Sequence, residues 1–213
     1  FPGIKPKLLI SEGDTVLAGS PVFFDKLNSE VKFVSPVSGT VSEIKFGKRR
    51  VIERIIIKAD GKSTNLKADS FSLDNSSKDD LKSKLLESGL WPTIRQRPFS
   101  KVANSNQIPR DIFISAYATA PCAADQSFIL EGREEEFAAG LNALGMLTSG
   151  KVHLNISRDE SAQIFTEAKN VQINKFSGPH PAGNVGVQIH HIAPISSKDD
   201  IVWYLNTQSV ADI

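Results

Sequence analysis

The sequence EEEFAAGLNALGML, from Glu134 to Leu147, is followed almost at once by VHLNI, from Val152 to Ile156. In the first segment, Phe137, Leu141 and Leu144 recur at the period of a helix. Three glutamates begin that segment, where the positive end of a helix dipole favours acidic side chains. The second segment has the character of a β-strand. The pair therefore predicts a helix that leads into a strand.

Helices and strands alternate on both sides of this pair. The further predicted elements are a helix over 80–87 that Gly89 ends, a strand over 111–117, a helix over 160–169, strands over 171–174 and 201–205, and a last helix over 206–213. Strands and helices that alternate at these lengths predict a parallel α/β layer domain over residues 80–213. Because the last helix breaks off within its pattern, we expect the natural protein to continue.

The first 64 residues have a different character. Short apolar, partly β-branched runs are separated by turn residues every six to ten positions, for example at Gly13-Asp14, Gly19 and Ser38-Gly39. This pattern predicts a compact all-β domain over 1–64. Residues 65–79 are rich in serine, asparagine and charge, so we interpret them as a linker.

The composition excludes several classes of protein. The 25 basic and 24 acidic residues leave a net charge of +1, which gives no general attraction to nucleic acid. The basic cluster Lys45, Lys48, Arg49 and Arg50 is interpreted as a solvated hairpin. No apolar run approaches the ~20 residues of a membrane helix, and no secretion signal is recognised. A single cysteine, Cys122, excludes an internal disulfide and a cysteine-based metal site, and it favours a cytoplasmic setting.

A loop rich in glycine and proline, FSGPHPAGNVG from Phe176 to Gly186, is the main candidate for a binding site. Glycine opens positive φ and proline fixes φ, so the loop has a special and preordered backbone. Its candidate quinone- or partner-facing residues are Ser177, Gly178, Pro179, His180, Pro181, Gly183 and Asn184. We call residues 177–184 the Gly-Pro loop.

The run VQIHHI after this loop is predicted to be a strand. On a strand His190 and His191 would point to opposite faces, so they would not easily bind one metal ion together. The glycines of the loop do not precede a recognisable helical pattern and lack the lysine of a P-loop. We therefore expect neither a metal site nor a phosphate-binding turn here.

Residues 117–125, YATAPCAAD, follow a predicted strand and correspond to a ligand-side loop of an α/β sheet. Their small side chains suit either the approach of a flat ring or close packing, and the sequence favours packing. We call residues 117–125 the small-residue segment.

The pair of motifs around Glu12-Gly13-Asp14 and Ser38-Gly39 resembles the biotinyl/lipoyl-like barrel-sandwich family. Carriers of that family place a lysine at a tight hairpin tip, and Lys26 is the candidate here. The ten positions between Lys26 and Pro36 are more than this family leads us to expect. We therefore expect a structural barrel without modification, and a carrier modified on Lys26 remains a rival interpretation.

The segment LESGLWPTIR, from Leu86 to Arg95, resembles the flavin loop of the flavin-binding subunit of respiratory complex I and of its Rnf-complex relatives. In those proteins clustered glycines bring backbone N–H groups to the flavin phosphate. Here Glu87 and Ser88 replace small residues, and the glutamate would repel a phosphate. The resemblance implies a vestigial flavin loop with the residues Gly89, Trp91, Pro92 and Thr93.

Taken together, these motifs resemble the A subunits of the sodium-translocating NADH:quinone oxidoreductases. The resemblance implies a barrel-sandwich hybrid domain followed by a Rossmann-like domain, with later domains of the family missing. It also implies a peripheral protein on the cytoplasmic face of the bacterial inner membrane, beside the membrane-embedded B subunit. By resemblance, FMN, FAD and iron–sulfur centres belong to partner subunits, and ubiquinone binds in the complex. The chain itself is expected to carry no cofactor, metal or catalytic residue and to be inactive alone.

These expectations combine into one hypothesis about function. The Gly-Pro loop and the small-residue segment are expected to form one surface that faces quinone or the membrane-embedded partner. The alternative is a flavin- and NADH-binding dehydrogenase subunit of an Rnf-like complex.

Overall fold

A computed structural model describes residues 3–67 and 71–213. The chain divides into two compact units, residues 1–92 and 93–213.

The first unit contains six antiparallel strands in two three-stranded sheets, ordered β1-β3-β4 and β2-β5-β6. The strands are β1 (Pro6–Leu8), β2 (Thr15–Val16), β3 (Pro21–Asp25), β4 (Asn28–Val34), β5 (Gly39–Phe46) and β6 (Ile52–Ala59). Single 3₁₀ turns cover Lys48–Arg50, Leu73–Asn75 and Trp91–Thr93. Alternate side chains of the strands point inward, and the buried ones include Val22, Val31, Phe33 and Val41.

A helix, α1 (Lys78–Glu87), also packs in the first unit. Ser77 and Asp80 form a capping box at its start, which satisfies backbone N–H groups that have no partner in the helix. As predicted, the helix ends before Gly89, whose φ of +75° is the usual end of a helix at glycine. A Cβ atom at Gly89 would lie 2.4 Å from Cγ1 of Val34, so glycine also permits the close packing of α1 on β4.

The second unit is a six-stranded sheet with helices between its strands. Its elements are β7 (Arg95–Arg97), β8 (Lys101–Val102), β9 (Asp111–Ser115), α2 (Gln126–Ile129), α3 (Glu134–Leu147), β10 (Val152–Ser157), α4 (Gln163–Thr166), β11 (Gln172–Phe176), α5 (Val185–Ile192), β12 (Val202–Asn206) and α6 (Thr207–Asp212). The order is β11-β10-β9-β12-β7-β8, in which the first four strands are parallel and the last two are antiparallel to their neighbours.

The core of this unit lies on the central strands, where Ile112, Phe113 and Ile114 are fully buried. Such continuous burial is typical of a parallel strand covered on both faces. The predicted helix Glu134–Leu147 is present at those bounds.

Two predicted elements differ from the structure. The helix expected over 160–169 is only one turn, α4, because the carboxylate of Glu160 accepts the N–H groups of Ser161 and Ala162 in a turn instead. The strand expected after the Gly-Pro loop is instead α5. Its apolar residues, among them Val185, Ile189 and Ile192, pack on one side against the core.

Candidate functional site

A cleft of about 640 Å³ opens at the carboxyl ends of β9 and β12. The chain leaves β9 for β10 and β11 on one side and returns to β12 on the other side of β9. In open α/β sheets, ligands bind where the strand order reverses in this way. Ser115 and Asn206, the last residues of β9 and β12, line the cleft. β7, residues 117–120 and the start of α5 complete the walls. Position and volume are those of a small-molecule site.

The Gly-Pro loop and the small-residue segment are in direct contact. The hydroxyl of Tyr117 donates a hydrogen bond to the carbonyl of Gly178 at 2.9 Å. Thr119 Oγ1 accepts the N–H of Gly183 at 2.9 Å, and it lies 3.2 Å from Nδ1 of His180. The two segments that the sequence analysis selected as one surface therefore do lie together.

Gly183 sets how close the loop and the segment approach. A Cβ atom at this position would lie 2.5 Å from the carbonyl oxygen of Tyr117 and 2.6 Å from the nitrogen of Thr119. Its carbonyl accepts a hydrogen bond from Ser115 Oγ at 3.2 Å, which ties the loop to the end of β9. Glycine is therefore needed here for its lack of a side chain.

A buried pair of side-chain amides, Asn155 and Gln188, supports the Gly-Pro loop on its core side. Gln188 on α5 and Asn155 on β10 are both fully buried, and Asn155 Nδ2 donates to Gln188 Oε1 at 2.9 Å. The other end of the Gln188 amide lies 3.4 Å from the carbonyls of Ala182 and Gly183. Because a buried polar group that loses its partner is costly, these bonds hold α5 and the loop in one arrangement.

The hydrogen bonds of the amide pair extend through Asn174 to His153, away from the cleft. Asn174 Nδ2 donates to Asn155 Oδ1 at 3.0 Å and lies 3.2 Å from Nδ1 of His153. His153 stacks on Phe113 at 4.5 Å, and its Nε2 lies 3.8 Å from Asp111 Oδ1. Burial lowers the pKa of His153, although the Asp111 carboxylate acts in the opposite direction. His153 is thus a packed, hydrogen-bonded core residue.

The cleft has a positive wall. Arg95 and Arg97 line it from β7, and no aspartate or glutamate is among the described residues that line it. The guanidinium of Arg95 donates to the carbonyl of Ser100. The guanidinium carbon of Arg97 lies 5.2 Å from the centre of the Tyr204 ring. Arg97 Nε is buried without a hydrogen-bond partner in the described part of the chain.

The histidine pair lies on a helix, which corrects the expected strand geometry. His190 and His191 are exposed in the last turn of α5, with ring centres 5.6 Å apart. Within residues 3–67 and 71–213, no group of three or more His, Cys, Asp or Glu side chains is placed to hold a metal ion.

The expectation that the loop glycines do not precede a helix is also wrong. α5 begins directly after Asn184, so Gly186 is the second residue of the helix. The N-terminus of a helix presents N–H groups that have no partner within the helix.

The vestigial flavin loop is divided between different environments. Glu87 is the last residue of α1, and Gly89 follows as the end of that helix. Trp91 and Pro92 are buried, whereas Thr93 lines the cleft.

Lys26 and Leu27 form the two-residue connection between β3 and β4 and are exposed. Lys26 therefore lies at a hairpin tip, and the expectation that the barrel is unmodified stays a prediction.

Among the site residues that the sequence did not predict are Arg95, Arg97, Tyr204 and Gln188. One signal was available, since Arg95 and Arg97 are two positions apart and share a face if the segment is a strand. The glutamine in the apolar run VGVQIHHI was a second signal, because a polar residue at a core position needs a partner.

In the described part of the chain, no helix has both the length and the apolar character needed to cross a membrane.

Two family models match nearly the whole chain. The model of the NqrA N-terminal barrel-sandwich hybrid domain matches residues 1–60, and that of the NqrA second alpha/beta domain matches residues 76–213. The predicted fold class is thereby confirmed, with an all-β barrel-sandwich domain before an α/β domain.

Several curated relatives share one name. The chain is 38% identical over 216 residues to the A subunit of the Na(+)-translocating NADH-quinone reductase of Glaesserella parasuis. It is 38% identical over 215 residues to that of Histophilus somni and 40% identical over 218 residues to that of Yersinia pestis. Each alignment covers 100% of this chain and 48% of the relative, so the chain spans about half the length of these proteins. The chain therefore belongs to the NqrA family of Na(+)-translocating NADH-quinone reductase A subunits.

Proposed function

We propose that this chain works as a peripheral part of a sodium-pumping NADH:quinone reductase, on the cytoplasmic face of the membrane. Its role is to contribute to quinone binding or to docking on the membrane-embedded B subunit. The Gly-Pro loop and the small-residue segment form the surface that does so. The names of its relatives support the complex, and the contact between the two segments supports the surface.

The observation that carries this proposal is the fixed geometry of the loop. Thr119 and Tyr117 bind it from one side, and the buried Gln188 holds it from below. A surface that is ordered before binding loses little conformational entropy on docking.

Redox cofactors belong to the partner subunits in this proposal. Gly89 serves as the end of α1, and Glu87 adds a negative charge where a flavin phosphate would need donors. A visible flavin spectrum from the purified chain would instead favour the dehydrogenase alternative.

The test uses Thr119→Val in the assembled complex. The substitution keeps the shape of the side chain and removes the acceptor for the Gly183 N–H. Thr166→Val is the matched control, since in the described part of the chain Thr166 Oγ1 donates to the carbonyl of Ala162, the residue just before α4, and to no part of the site. We expect Thr119→Val, and not the control, to lower quinone reductase activity or the retention of the chain in the complex. Unchanged assembly and turnover with Thr119→Val and with alanine substitutions across residues 177–184 would refute the proposal.

A further inference from the structure

The guanidinium of Arg97 and the positive end of α5 meet in the cleft, with no carboxylate among the described residues that line it. A Cβ atom placed on Gly186 would lie 3.4 Å from Nη2 of Arg97, so the guanidinium lies beside the first turn of α5. The N-terminus of a helix carries a partial positive charge of roughly half an elementary charge. The guanidinium of Arg97 and the N-terminus of α5 therefore repel each other, and an anion that binds to both would offset this repulsion.

The guanidinium of Arg97 has N–H donors without hydrogen-bond acceptors among the described residues. Its Nε is buried and has no acceptor among the described residues, and no ion pair of Arg97 is found there. The ring of Tyr204 holds the guanidinium by a cation–π contact at 5.2 Å, which positions it without satisfying its N–H groups. No hydrogen-bond acceptor for the guanidinium is found among the described residues, so a bound oxygen would give Nη2, on the side of α5, the partner that it lacks there.

The backbone of α5 adds donors on the same side. The N–H groups of Val185 and Gly186 belong to the first turn, where no intrahelical acceptor exists. Asn184 precedes the helix without a side-chain cap. Gly186 has no side chain to block access from the cleft.

The described lining of the cleft contains no carboxylate that could serve as this anion, which points to a ligand as its source. The cleft has a volume of about 640 Å³, which is in the range of small-molecule sites and leaves room for more than an isolated anion. A guanidinium and a helix N-terminus are the usual partners of phosphate, whose several oxygens accept donors from different directions.

We propose that the cleft binds the phosphate group of a small molecule between the guanidinium of Arg97 and the N-terminus of α5. Arg97 Nη2 and the N–H groups of Val185 and Gly186 donate to the phosphate oxygens. The rest of the ligand occupies the cleft toward Tyr117, which also lines it. This site goes beyond the proposed role in quinone binding or docking and does not depend on it.

The test follows binding of inorganic phosphate and of phenyl phosphate to the 213-residue chain by NMR, at constant ionic strength. We expect a saturable shift of the Gly186 amide resonance, with phenyl phosphate binding more tightly than inorganic phosphate. Arg97→Gln is expected to weaken binding at least tenfold. Arg158→Gln is the matched control, because Arg158 lies outside the cleft.

A second variant keeps the charge and the fold. Gly186→Ala places a methyl group against Nη2 of Arg97, where the phosphate would lie, while alanine suits a helix better than glycine. We expect weaker phosphate binding by at least tenfold in a fully folded chain. The proposal is overturned if Arg97→Gln and Gly186→Ala bind phosphate as the unaltered chain does, or if Arg158→Gln loses binding equally. It is also overturned if sodium chloride produces the same shift, or if phenyl phosphate binds more weakly than inorganic phosphate.

Discussion

Gly183→Ala tests whether the loop is held by close approach to the small-residue segment. The new Cβ would begin 2.5 Å from the carbonyl oxygen of Tyr117, whereas an ordinary contact begins at 3.4 Å. The backbone must therefore separate by 3.4 minus 2.5, or about 0.9 Å. That movement stretches the hydrogen bond from Gly183 N to Thr119 Oγ1, now 2.9 Å, beyond hydrogen-bonding distance.

The expected cost of Gly183→Ala follows from these two effects. Overpacking costs about 1–3 kcal/mol, and the lost hydrogen bond adds about 1 kcal/mol. We expect the free energy of unfolding of the second unit to fall by about 2–4 kcal/mol, which leaves it folded if its stability is typical, about 5–15 kcal/mol.

Urea unfolding measures this change. A Trp91→Phe background leaves Trp203, which is buried on β12, as the fluorescent reporter of the second unit. Gly145→Ala is the control, because a Cβ at this exposed position of α3 meets nothing within 4 Å. The free energy of unfolding of this control should exceed that of the unaltered chain by up to ~1 kcal/mol, because alanine favours a helix more than glycine does. If Gly183→Ala is as stable as the unaltered chain, the close approach does not hold the loop.

Three further predictions concern the parts that support the site. Gln188→Leu leaves the Asn155 amide without its acceptor and should lower the free energy of unfolding by about 1–3 kcal/mol in the same urea assay. Burial lowers the pKa of His153, so the unfolded chain binds a proton at higher pH than the folded chain. Stability should therefore fall as the pH drops below about 6.5, and His153→Gln should reduce that slope in unfolding measured from about pH 8 to about pH 5. Ser77→Ala removes the capping box of α1 and should cost about 1 kcal/mol, seen as a lower thermal midpoint by circular dichroism.

Elements with a local signal were predictable from sequence. The glutamates at the start of α3 and the spacing of Phe137, Leu141 and Leu144 gave its bounds, because capping and periodicity act within the helix itself. Gly89 gave the end of α1 for the same reason.

α5 was not predictable in this way. Val185, Val187 and Ile189 alternate as in a strand, and a run of eight residues is too short for the two periods to be separated. The helix is selected by distant residues, since its apolar side packs against Phe113 and Val202. The crossover from β11 to the parallel strand β12 also needs a helix-sized connection.

The Gly-Pro loop and the small-residue segment were expected to form one surface, and in the structure they are in contact. The positive wall formed by Arg95 and Arg97 was not predictable from the sequence. It requires β7 to pair with β12, so that Arg97 meets Tyr204 and the start of α5. No local pattern reports a pairing between strands that are about a hundred residues apart in sequence.

The two proposals can be separated because they depend on different atoms of one rigid arrangement. Gly183 and Gln188 position both the loop and the start of α5, so Gly183→Ala should disturb quinone-reductase activity of the complex and phosphate binding together. Arg97 faces the cleft and makes no hydrogen bond to the loop in the described part of the chain. Arg97→Gln should therefore weaken phosphate binding while the Gly183 and His180 resonances keep their positions. A variant that moves these resonances as far as Gly183→Ala does would show that the guanidinium supports the loop as well.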